Sequence, residues 1–542
     1  MKRKKQQGAV TVRRGVITSV ICSLVGINTI LAVDNVRPRL VVGIMVDQLR
    51  TDHIEYLQNL FGDKGFRRLM KDGVYIKDVD FKVPGLDAVS GSAMIYTGSY
   101  PRYTGVNAEM VYSPETKGMV NVLNDPASIG NFTTETLSPS NIRISTISDE
   151  IAVAGQGKAS IFSIAPDAQQ SIVMAGHAAN SAFWINENTG NWATTTYYQD
   201  SPSILTQKNY TNPIAARLDT MAWTPLRGNS MPNTKSADKK GGEAGFRHTF
   251  PIADRDVYKI YASSPLVNTE ITDAAISYLQ SLPLGRSVDT TDMLNLAYTA
   301  APFLYDNEGN LTAETEDTYI RLDGQLERLF DAIDRYVGLD NTFVYVVSTG
   351  YYDEATPEDG KYKIPTGTFS VKRALSLLNS YLSAHYGNGA YVDTFSKDHV
   401  YLNHKEIEEK GLDLKATAEL ARDFLVKMSG VNDAYTMSDI MASALPSMEA
   451  LRLATDPKTG GDIILEFNAG WSIVDDTRFP NEIKTVRADV ALTPAFLMWP
   501  PLVPEVIDRT VEAVSIAPTV SQALRIRAPN GAVGKPITLN TR

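Results

Sequence analysis

Residues 40–47 read LVVGIMVD, an unbroken apolar run that ends in a carboxylate. A run with no polar face has nothing to turn toward water, so it is expected as a strand buried on both sides, in a parallel sheet covered by helices. MLNLAY (293–298), NTFVYVVS (341–348) and DIILEF (462–467) have the same character. Upstream of NTFVYVVS, Tyr319, Leu322, Leu326, Leu329, Ile333 and Tyr336 recur at steps of three and four, which marks an amphipathic helix feeding a strand. The alternation predicts an α/β fold with a doubly wound, mostly parallel sheet flanked by helices. Its functional site is then expected at the carboxyl ends of the strands, where Asp47 stands.

The wider composition fits one large α/β unit with an insertion. Of 542 residues, 43% are hydrophobic and 21% charged, the balance of a folded globular chain. Six of the 52 basic residues lie in positions 1–14 with no acid among them, so the remainder carries 46 basic against 62 acidic residues, a net charge of −16. That field repels phosphate backbones and argues against a nucleic-acid partner. The basic start followed by the uncharged GVITSVICSLVGINTILA (15–32) reads as an export signal, giving a segment 1–32 and a periplasmic or otherwise exported chain. Membrane attachment is expected only through that segment, if it is retained. Cys22 is the single cysteine, so disulfides and cysteine-ligated metals are excluded from the mature chain. Polar, Gly- and Pro-rich stretches at 224–244 and 353–367 read as long loops or hinges. They suggest a core over 33–354 and 461–542, with a smaller α+β cap inserted at about 355–460.

The run VVGIMVDQLRTDHIEYLQNLFGDKGFRRLMKDGVYIKDVDFKVPGLDAVSGSAMIYTGSYPRYTGV (41–106) resembles the opening of the alkaline phosphatase superfamily, in its phosphodiesterase/nucleotide-pyrophosphatase branch and its periplasmic bacterial phosphatase type. AGHAANSAFWINENTGNWATTTYY (175–198), YLNHKEI (401–407) and IAPTVSQALRIRAPNGAVGKPI (516–537) continue the likeness in the family's order. The resemblance implies two zinc ions on Asp and His ligands, with a Thr or Ser nucleophile between them. Paired cations would stabilise the attacking and leaving oxygens.

Carried over position by position, the family's site is largely missing. Asp47 matches the first metal-ligand aspartate. The nucleophile position, nine residues before Thr97, is Ala88, which has no oxygen; neighbouring Asp87, Ser90 and Ser92 read as helix caps or first-turn residues. The remaining ligand positions hold Pro302, Asp306, Gly350, Tyr351 and Leu492, and those of the phosphoryl clamp hold Glu109, Asp167 and Gln169. Among the six histidines, the Asp52-His53 and Asp398-His399 pairs mimic the missing dipeptide but fall on a helix and a cap strand, and His177 reads as a satisfied structural residue. Asp47, Asp87, Glu109, Asp167 and Asp306 are the carboxylates available for a Ca²⁺ or Mg²⁺ cluster. The reading is an exported pseudophosphatase with no catalytic residue and no cofactor, acting in binding or assembly on an unidentified protein or small molecule. The alternative is a phosphate mono- or diester hydrolase with a remodelled zinc site.

Overall fold

The computed structural model describes residues 37–199, 201–226, 246–303, 311–351, 365–477, 483–486 and 491–542. The expected export signal, Asp306 and most of both hinge stretches lie outside these residues. Five strands form the centre of the core: β1 (Leu40–Asp47), β2 (Ile161–Ala165), β3 (Ser181–Ile185), β4 (Asp292–Thr299) and β5 (Thr342–Ser348). They lie in the order β5-β1-β4-β2-β3, all parallel. Antiparallel pairings appear toward the margins of the ten-stranded sheet, where β3 meets Trp192–Thr195 and β5 meets Ala495–Met498.

The β1 run is buried on both faces because its residues alternate between two cores. Leu40, Val42, Ile44 and Val46 join one, Val41 and Met45 the other. Three helices matter for the site: α1 (Ala88–Thr97), α2 (Ala168–Ala175) and α3 (Ala313–Tyr336). Tyr319, Leu322, Leu326, Leu329 and Ile333 of α3 pack into the first core, as their spacing requires. Gly43 lets two tyrosines meet over β1: a Cβ there would lie 2.4 Å from Tyr345 Oη and 2.7 Å from Tyr96 Oη.

A second, smaller sheet lies in the inserted region. It contains β6 (Val392–Ser396), β7 (His399–Leu402), β8 (Val431–Thr436) and β9 (Ile463–Phe467), in the order β6-β7-β9-β8 and antiparallel throughout. Helices α4 (Val371–Tyr386) and α5 (Leu414–Leu425) share its core through Leu378, Leu382, Ala421 and Leu425. DIILEF is therefore corrected from a parallel core strand to the antiparallel β9. Glu466 faces water between buried Leu465 and Phe467, the alternation of a sheet with one solvated face. The cap is likewise corrected at its far end: it does not close near 460, because β9 belongs to it and Ser472–Val474 pairs with Thr368–Ser370.

Candidate functional site: a cleft at the strand ends

Asp47 closes β1 beside Thr299 of β4. Its Oδ1 accepts a hydrogen bond of 2.9 Å from Thr349 Oγ1, one residue past β5. Thr349 is held in turn, since its N–H donates to Val46 O at 3.2 Å and its Oγ1 accepts from Gln48 N at 3.3 Å. Helix α1 enters this corner with Asp87 as its N-cap. Asp87 Oδ1 accepts from Ser90 N at 2.8 Å, and the Ser90 side chain returns a bond to the cap backbone. The next helical residue, Gly91, faces Thr349: a Cβ there would lie 1.9 Å from Thr349 O. This close approach seats Ala88, the first residue of α1, at the corner held by Asp47 and Thr349.

Backbone hydrogen bonds tie segments next to the other family positions to β1 and the turn after it. Ala300 N donates to Asp47 O at 2.9 Å, two residues before Pro302. Gly350 follows Thr349 at φ +73, and a Cβ there would meet Phe81 at 2.1 Å, so a side chain is barred by both backbone and neighbour. Tyr351 packs its partly buried ring on the second core. Leu492 O accepts from Thr51 N at 2.9 Å, four residues after Asp47.

The donor set does not fit a zinc pair. Ala88, Gly350, Leu492 and Pro302 have no ligating side chain, which leaves Asp47 and Tyr351 as the side-chain donors among the described positions. Among the described residues, no group of three or more His, Cys, Asp or Glu could hold a metal ion. Of the carboxylates Asp47, Asp87, Glu109, Asp167 and Asp306 considered for a Ca²⁺ or Mg²⁺ cluster, the four described ones form no such group, and Asp306 lies outside the described residues. Asp87 serves as an N-cap and an ion-pair partner, and Asp167 caps α2 by accepting from Gln170 N at 2.8 Å. The histidines do not gather into a ligand set: His177 and His399 are hydrogen-bonded elsewhere, and the buried Nδ1 of His53 has no hydrogen-bond partner. Asp52 pairs with Arg50 at 2.7 Å, and the His53 ring stands edge-on to Tyr319. Burial, with Arg50 close by, pushes His53 down to about 4. His399 Nδ1 accepts from Gly461 N at 2.9 Å, and burial brings it also to about 4. His177 Nδ1 meets Asp149 Oδ2 at 2.9 Å and its Nε2 meets Ile142 O at 2.9 Å; the Asp149 bond raises its pKa.

The clamp positions do gather. Gln169 Nε2 donates to Glu109 Oε1 at 3.2 Å, and Glu109 N donates to Asp87 Oδ2 at 2.9 Å. Withdrawal from bulk water, then the charges of Asp167 and Asp87, push Glu109 up to about 7. Burial pushes Asp167 up to about 6 against the N–H bonds it accepts. A clamp meant for a phosphoryl dianion would need donors and cations; this wall presents carboxylates. One residue missed in the sequence completes it. Lys397, between β6 and β7 of the cap, places Nζ 3.0 Å from Asp87 Oδ2 and 2.5 Å from Asn107 O. Burial pushes the Asp87 carboxyl up, but Lys397 and the Ser90 bonds outweigh that and leave it below its usual value.

A mostly parallel sheet of this order flanked by helices, with a cap inserted after the fifth strand, is an alkaline phosphatase-like architecture. The crystal structure of wild-type alkaline phosphatase PafA superposes with a TM-score of 0.78 at 26% identity, covering 92% of this chain and 98% of that one. The type I phosphodiesterase / nucleotide pyrophosphatase family matches residues 41–488, and the chain belongs to that family within the alkaline phosphatase superfamily. Alkaline phosphatase PafA of Elizabethkingia meningoseptica is 28% identical over 522 residues, covering 93% of this chain and 94% of the relative. A protein of Myroides odoratus named calcium-transporting ATPase is 27% identical over 524 residues, covering 92% and 94%.

Proposed function

We propose that this chain is an exported pseudophosphatase: an alkaline phosphatase-like protein that has given up phosphoryl transfer and acts through binding or assembly. The single observation that carries the reading is the methyl group of Ala88 at the first position of the helix that would present the nucleophile. The rest of the corner supports it. One carboxylate, Asp47, stands where the chemistry requires two cations with mixed nitrogen and oxygen ligands. The wall that would bind phosphoryl oxygens carries Glu109 and Asp167 in place of cations. Export rests on the basic, then uncharged, opening of the sequence. Among the described residues no helix is long and apolar enough to cross a membrane.

The competing reading is a phosphoester hydrolase with a remodelled metal site. The names of the relatives, an alkaline phosphatase and an ATPase, favour it. Zinc content separates the two. The purified chain, dialysed against micromolar zinc and then against metal-free buffer, is expected to retain well under 0.1 zinc per chain by mass spectrometry. Retention of one or two zinc ions per chain would establish the hydrolase reading instead.

A further inference from the structure

Among the described residues, the tip of the β6–β7 hairpin carries the cap to the head of α1. Its two turn residues, Lys397 and Asp398, both adopt left-handed backbone, at φ +49 and +66. Hairpins of this kind normally place Asn-Gly there, because larger side chains strain in that region. The strain is held by what the tip touches. The Lys397 stem passes over Gly85, whose missing Cβ would lie 3.9 Å from Lys397 Cε. Its ammonium ends between Asp87 Oδ2 and Asn107 O, at the N-terminus of α1, and no more than 22% of the side chain stays exposed.

We propose that Lys397 is a built-in plug: the cap's own ammonium occupies the cleft mouth at the head of α1, and nothing enters the cleft there until the hairpin tip lifts. The contact is specific in its chemistry. Asp87 Oδ2 also accepts the Glu109 N–H, so one carboxylate ties the cap lysine to the clamp loop. Asn107 is shared in the same way, its carbonyl on Lys397 and its side chain 3.3 Å from Thr459 Oγ1 of the cap. Around this point Lys117 pairs with Asp393 at 3.0 Å and the Tyr112 and Tyr401 rings lie 4.9 Å apart. These flanking contacts hold the hairpin base while the tip seals the cleft. The plug does not depend on the loss of catalysis, since the same contact in an active enzyme would gate substrate entry.

Hydrogen exchange on the full chain tests it, with Lys397→Met removing the charge and keeping the stem, and Lys397→Arg keeping the charge. Lys397→Met should speed exchange at least tenfold over 396–399 and 107–109 while leaving β1 and β5 unchanged, and Lys397→Arg should stay near wild type. Equal exchange within twofold in wild type and Lys397→Met overturns the proposal. Asp87→Asn keeps a capping side chain and should reproduce the faster exchange. Should neither variant fold, acylation of wild-type lysines decides. Lys397 should react at least tenfold more slowly than Lys405, whose side chain is 79% exposed, and equal reactivity overturns the plug. None of these readouts involves phosphoester turnover, so failure here leaves the proposed function untouched.

Discussion

Replacing Gly91 by alanine sets two effects of opposite sign against each other. On an open helix face the change would stabilise by about 1 kcal/mol, because glycine is the poorer helix former. Here the new methyl would lie 1.9 Å from Thr349 O, and relieving that contact takes about 1 Å of backbone movement. Thr349 is not free to move. Its N–H bonds Val46 O at 3.2 Å and its hydroxyl bonds Asp47 at 2.9 Å. Loss of those two bonds costs about 1–3 kcal/mol and overpacking strain about 1–3 kcal/mol more. After the gain in helix propensity, the net effect is a destabilisation of about 3 kcal/mol. For a folded unit spanning Pro38–Arg542 this lowers Tm by about 3 °C. Calorimetry of the two proteins at one scan rate reads it directly. A Gly91→Ala protein as stable as wild type, or more so, would refute the packing of α1 on the end of β5 and with it the placement of Ala88.

Restoring a hydroxyl with Ala88→Thr should leave aryl phosphate turnover at the buffer rate, because on the proposed reading the remaining donors do not hold the paired cations that would lower the hydroxyl pKa; any chelator-sensitive gain contradicts this. His53 is held neutral at about 4, so its contribution to stability is present above its unfolded value of 6.5 and is lost as pH falls from 6.5 toward 4. Allowing for its partial exposure, His53→Gln should flatten urea stability by about 1–2 kcal/mol across that window, and an unchanged slope would refute the assignment. Overnight treatment with a strong chelator should move Tm by less than about 1 °C, whereas a structural or catalytic metal would stabilise the fold by mass action and its removal would lower Tm by several degrees.

Much of the fold was legible because burial writes itself into periodicity. LVVGIMVD must be covered on both faces, and the three- and four-residue steps of α3 could only be one face of a helix. DIILEF misled because a five-residue apolar strand looks alike in a parallel core and in a one-faced cap sheet; only its partners, β7 and β8, tell them apart. At the site, the family resemblance marked positions such as Ala88 and Pro302, whose side chains carry no ligating atom. What fills the space was not. The Lys397–Asp87 contact joins residues 310 apart and depends on how the cap docks, and a Lys-Asp turn in sequence says only that a hairpin bends there. The bond from Gln169 to Glu109 is similarly a property of two loops brought together, although the motif positions named both residues.

The most direct test of the central claim is turnover by the purified wild-type chain. Aryl phosphate mono- and diesters would be offered with and without added zinc, in preparations cleared of contaminating phosphatase. The account predicts hydrolysis indistinguishable from buffer under both conditions. Chelator-sensitive turnover at about 1 s⁻¹ or faster, an ordinary enzyme rate, abolished by Asp47→Ala, would contradict it.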